Sequence, residues 1–130
     1  MWSAITNAKL SRSFLAIWGD LLRSPIFSGV ALSVANILDA ITTYLSLTKP
    51  CVSELNPFMR YLIAKSWVHF FSMKLGASVF FVLTGVYVAS IISRGKITEK
   101  LARVCVFIML LLAVGLFYAS WHNFHLYLRW

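Results

Sequence analysis

Apolar residues fall in three long blocks along this chain, separated by short stretches rich in proline, glycine and basic side chains. The blocks cover residues 26–48, 66–93 and 101–127. The first follows Ser24-Pro25: serine suits an N-cap, and proline fits the first helical position because its missing N–H would have no partner there. Its 23 residues rise roughly 34 Å as a helix, enough to cross a hydrocarbon core of about 30 Å. The second and third blocks are longer, so all three predict membrane-spanning helices.

The flanking segments read differently. In residues 1–24, Leu10, Phe14, Ile17 and Leu21 recur at helical spacing, while Lys9, Arg12, Ser13 and Asp20 fall largely elsewhere. A basic amphipathic stretch before a span predicts a helix lying in the interface. Asn56-Pro57 repeats the restart of Ser24-Pro25, and Arg60 and Lys65 make the following turns too polar for the bilayer core. Residues 49–65 therefore read as an outer loop and a short interfacial helix. Arg94-Gly95-Lys96 closes the second block, and residues 94–100 form the inner loop. Thr98 is the next cap candidate, with Glu99 near the positive helix end. The expected fold is an all-α membrane protein, one domain over residues 1–130, with three transmembrane helices preceded by an amphipathic interfacial helix.

Composition supports a bilayer as solvent. Of 130 residues, 60% are hydrophobic and 12% charged, about half the charged share of a soluble domain, roughly 25%. A soluble chain of this length could not hide that much apolar surface. The net charge of +8 comes from basic residues placed between the apolar blocks, so anionic headgroups are the expected partner and nucleic acid is not. Cys51 and Cys105 form neither a CxxC pair nor a disulfide framework. No cleavable signal is evident in the first 24 residues, which contain Lys9, Arg12, Asp20 and Arg23. The first span is expected to act as the insertion signal.

Orientation follows from the basic residues. Lys9, Arg12, Arg23, Arg94, Lys96, Lys100 and Arg103 share one side, seven in all, against four on the other: Lys49, Arg60, Lys65 and Arg129. The excess places the amino terminus in the cytoplasm and the carboxy terminus outside, in a cell inner membrane or its equivalent. Trp121, Tyr127 and Trp130 crowd the outer end of the third span, as interfacial aromatic belts do.

Polar residues inside the spans carry the candidate chemistry. Asp39 precedes the outer end of the first span by nine residues, about 14 Å by helical rise. Lys74 lies eight residues past Ser66, roughly 12 Å from the same face. An isolated charge at that depth costs at least about 3 kcal/mol on insertion scales. Opposite charges at matched depth on antiparallel neighbours should therefore pair. Asn36 and Thr43 share a face with Asp39, Thr42 lies beside it, and Ser78 sits one turn past Lys74. Ser72 and Gly76 form a small-xxx-small step that would allow close helix approach. The cluster can serve as a buried pair that fixes helix register, or as an ion path or binding pocket.

Glu54, Asn56 and Pro57 form the outer turn, either as caps or as a closure over Asp39. His69, His122 and His125 all fall near the outer boundary, and the last two share a helix face. Spacing leaves metal or haem ligation as a minor alternative to ordinary interfacial histidines. No cofactor is expected, although contact with haem, a metal or a pigment is open.

Asn36-Ile37-Leu38-Asp39-Ala40-Ile41-Thr42-Thr43, then Glu54-Leu55-Asn56-Pro57, then Lys74, resembles a family of small prokaryotic membrane proteins of unknown function. The shared marks are an aspartate in the first span, an acidic-x-Asn-Pro turn and a lysine in the next span, over residues 33–75. The resemblance implies a fold type and no activity.

No nucleophile–base pair, nucleotide loop or metal spacing points to an enzyme. The first expectation is an accessory or structural subunit of a larger membrane complex, packing against partner helices and lipid or pigment. The alternatives are a homo-oligomeric ion- or proton-coupled transporter or channel built on Asp39 and Lys74, and a redox or metal-binding subunit using the outer histidines. The bilayer, other membrane subunits and further copies of the chain are the expected partners.

Overall fold

A computed structural model describes residues 19–20, 23–50, 52–95 and 98–129. The amphipathic segment expected over residues 1–24 lies almost wholly outside the described residues, as do Cys51 and Trp130. The fold is all-helical among the described residues, with α1 at Pro25–Leu47, α2 at Pro57–Lys65, α3 at Trp67–Ser93 and α4 at Glu99–Arg129. α1, α3 and α4 are each long and apolar enough to cross a membrane. α2 is short and contributes no buried side chain. The end of the bundle that carries residues 48–66 and the α4 C-terminus is called distal below. The end with Pro25 and the α3–α4 turn is called proximal.

Local chemistry sets the breaks. Ser24 is extended and its hydroxyl accepts the Phe27 N–H at 3.3 Å, so α1 starts at Pro25 with its first donors partly satisfied. α2 and α3 are separate helices rather than one continuous rod. Ser66, with φ −175° and ψ 154°, ends one and caps the other. Its N–H donates to the Leu62 carbonyl at 3.1 Å, and its hydroxyl accepts from the His69 N–H at 3.3 Å. Gly95, at φ 65°, takes the left-handed conformation that closes α3.

α1 is the centre of the bundle. Both α3 and α4 pack along it, and the two scarcely touch each other. α1 accordingly buries two stripes, one through Gly29, Ser33, Asn36 and Ala40, the other through Ser28, Leu32, Ala35 and Asp39. α3 buries the single stripe Phe70, Lys74, Ser78, Gly85 and Val88, and α4 buries Ala102, Val106, Met109, Ala113 and Ser120. Both follow the helical repeat. The opposite faces, with Val79, Phe80, Leu83, Leu111 and Val114 among them, are exposed, as lipid-facing surfaces are.

In the proximal half the packing is close. A Cβ on Gly29 would stand 2.6 Å from the Phe81 carbonyl oxygen, and one on Gly85 would stand 2.5 Å from that of Pro25. The two backbones therefore meet where only glycine fits. The step expected at Ser72 and Gly76 does not make this contact: both are exposed, and nothing lies within 4 Å of a Cβ built on Gly76. That pair faces away from α1, nearly opposite Lys74 on the helix. Leu32, Ala35, Met109 and Ala113 form the adjoining α1–α4 core.

Candidate intramembrane polar site

The distal half of the same three helices holds the polar residues. Lys74 Nζ donates to Asp39 Oδ2 at 2.6 Å, bridging α3 and α1 at the depth where helical rise brings the two level. Both side chains are buried, at 9% and 12% exposure. Lys74 Nζ also donates to Asn36 Oδ1 at 3.3 Å. Asn36 in turn donates through Nδ2 to the Lys74 carbonyl at 2.8 Å and to Ser78 Oγ at 2.9 Å. Ser78 Oγ donates onward to the Ser33 carbonyl at 3.4 Å. The α1–α3 contact is thus a connected network from Asp39 to Ser33. Among the described residues no fully buried side-chain nitrogen or oxygen lacks a partner, which is what a low-dielectric site demands.

α4 joins through a residue that sequence reasoning did not single out. Asn123 Nδ2 donates to Thr43 Oγ1 at 3.1 Å. Asn123 lies six residues before Arg129 and Thr43 five before Thr48, depths of about 9 and 8 Å by helical rise. Matched depth was the signal that could have found it. Thr42 does not enter the network: its hydroxyl bonds within α1, to the Leu38 carbonyl at 2.9 Å and the Asp39 carbonyl at 3.3 Å.

A partly open cavity of about 510 Å³ lies over this network, within the range of small-molecule sites. α1 supplies Asn36, Asp39 and Thr43 to its wall, α3 supplies Phe70, Lys74, Ala77 and Phe81, and α4 supplies Leu116, Ala119, His122 and Asn123. Phe81 and Leu116 make its deeper end apolar, and Leu47 and Leu126 add apolar surface beside the polar side chains distally. Residues 52–56 and Met59 close over the distal side. It exists because α3 and α4 both pack on α1 and scarcely touch each other.

The outer turn does two things at once. Asn56 Oδ1 accepts the Phe58 and Met59 N–H groups at 3.0 and 3.4 Å, capping α2 behind Pro57. Glu54 Oε1 accepts the Asn56 N–H at 2.8 Å, and the Arg60 guanidinium donates to the Glu54 carbonyl through Nη2 at 2.6 Å. Capping thereby fixes Glu54 and Asn56 at the cavity wall. Lys49 lies over the Tyr127 ring at 4.6 Å, a cation–π contact joining the turn after α1 to α4 at the same end.

The histidines do not converge. His122 lines the cavity. His125 stacks edge-on against Trp121 at 5.1 Å, and His69 Nδ1 lies 2.9 Å from the Ser66 hydroxyl. Among the described residues no three His, Cys, Asp or Glu side chains gather closely enough to hold a metal ion. Sharing a helix face brings His122 and His125 near each other, but His69 is drawn into the start of α3 instead.

A family model described as a domain of unknown function (DUF5658) matches residues 30–128. That span takes in Asp39, Glu54, Asn56, Lys74 and Asn123. No curated protein and no solved structure matches the chain.

Proposed function

We propose, for a chain that belongs to the family of the domain of unknown function DUF5658, that it is an integral membrane protein that binds a small ligand over the Asp39–Lys74 pair. One observation carries this reading: the ion pair lines a cavity instead of being sealed between helices. A pair used only to fix register needs no such space. Leu32, Ala35, Met109 and Ala113 fill the proximal half, which favours a one-ended site over a continuous channel. The amino terminus lies in the cytoplasm, so the cavity sits on the outer side of the bilayer.

A second reading, an accessory subunit of a larger membrane complex, draws on a different observation. α3 and α4 leave a gap between them, which a helix of another subunit could close. The two readings part in one experiment: gentle extraction from native membranes, followed by mass spectrometry of everything retained. The binding reading expects a small molecule at near-stoichiometric amount, lost in Ala119→Phe, whose ring fills the cavity. A particle of unrelated subunits with no retained small molecule would overturn it in favour of assembly.

A further inference from the structure

We infer that the ligand is an uncharged amphiphile taken sideways from the bilayer, with a hydroxyl or amide head on the Asp39–Lys74 pair and its chain against Phe81 and Leu116. This rests on the binding reading above and adds the class of ligand.

Charge is the first reason. Asp39 and Lys74 together are neutral, whichever of them holds the proton, and they lie within a span. Among the described residues no other Asp, Glu, Lys or Arg side chain lines the cavity except Glu54 at its distal side. A ligand with net charge would leave that charge uncompensated in low dielectric, a cost of several kcal/mol by the same physics that makes intramembrane charges rare. A neutral head avoids it.

Hydrogen-bonding capacity is the second. The Lys74 ammonium has three N–H donors, of which Asp39 Oδ2 and Asn36 Oδ1 take two. Among the described residues Asp39 Oδ1 accepts no hydrogen bond. One donor of Lys74 and one acceptor of Asp39, both residues of the cavity wall, therefore remain. A hydroxyl or a primary amide offers the complementary acceptor and donor in a single group.

Shape is the third. Phe81 lies seven residues beyond Lys74 along α3, about 10 Å nearer the proximal end. The cavity thus ends in apolar residues towards the bilayer centre, where the chain of an outer-leaflet amphiphile lies, while its distal side mixes Ser46, Glu54 and Asn56 with Leu47, Leu55 and Met59. Because α3 and α4 scarcely touch, the lateral route to it is not blocked by helix packing. An entrant from water would have to pass Glu54, Leu55 and Asn56.

The test offers three probes of equal chain length to the protein in lipid nanodiscs: a monoacylglycerol, an alkyl sulfonate and an alkylammonium. Retention is read by native mass spectrometry. The monoacylglycerol should be retained at least about tenfold over either ion. Asp39→Asn should turn the preference to the sulfonate, and Lys74→Met to the alkylammonium, each by a similar factor. A register-fixing role alone would not reverse selectivity. Ala119→Phe, which leaves the network intact, should lose all three probes and keeps the test informative if the charge variants fail to fold. Equal retention of an ion and the monoacylglycerol by the wild type would overturn the inference while leaving the binding reading standing. Retention of no probe, with no small molecule in the native particle, would overturn both.

Discussion

The two halves of this bundle are built from the same three helices yet are held together by opposite means. In the proximal half, α1 and α3 meet backbone to backbone through Gly29 and Gly85, and Leu32, Ala35, Met109 and Ala113 fill the α1–α4 contact. In the distal half a chain of polar contacts from Ser33 through Ser78, Asn36 and Lys74 to Asp39 does the joining of α1 and α3. Lipid supplies no hydrophobic force between helices, so close packing and interhelical hydrogen bonds are the available glues. Close packing uses up the space between helices. Side-chain hydrogen bonds hold helices at arm's length, and here they leave a cavity of about 510 Å³.

Substitutions can break either half separately. The largest effect is expected from Lys74→Met, which strands the buried Asp39 carboxylate and should cost about 3–5 kcal/mol. Adding Asp39→Asn should restore part of that loss, because no unpaired charge then remains. Reversible unfolding in mixed micelles reads both, and a double variant less stable than Lys74→Met alone would show that the pair is not the joint of the distal half. Gly85→Val should come next, at about 1–3 kcal/mol, by pushing α3 off Pro25 in the proximal half. A crosslink between cysteines placed at Ile26 and Val86 should form more slowly in that variant, and an unchanged rate would contradict the backbone contact. Asn56→Ala removes the α2 cap and should cost about 1 kcal/mol, loosening the outer turn and speeding proteolysis there. The smallest change in stability, within about 0.5 kcal/mol, is expected for Ala119→Phe. That variant fills the cavity without touching the network, so a large destabilisation would mean the space is already occupied by protein.

The sequence makes some of this legible and hides the rest for physical reasons. Three apolar blocks with Ser-Pro and Asn-Pro restarts announce the all-helical, three-span fold, because backbone satisfaction in lipid leaves so few alternatives. Asp39 and Lys74 can be matched by depth, since a charge in a span is costly enough to demand a partner. Asn123 carries no charge and sits among interfacial aromatics, so its bond to Thr43 does not stand out. The small-residue contact is harder still. Gly76 and Gly85 look alike in sequence, and only the rotation of α3 about its axis decides which of them meets α1. Lys74 fixes that rotation: Gly85 lies eleven residues on, three turns, and so shares its face, whereas Gly76 lies two on and points away. Nothing local encodes the divergence of α3 from α4, because it results from how both pack on α1.

A structure of the wild-type protein in lipid nanodiscs, with a rigid binder to aid alignment, decides whether the space over the ion pair holds a ligand. α3 and α4 should stand apart, with elongated non-protein density running from the Asp39–Lys74 pair towards Phe81 and Leu116. Finding α3 closed against α4 with no space over the ion pair, or a helix of another subunit filling the gap, would contradict it.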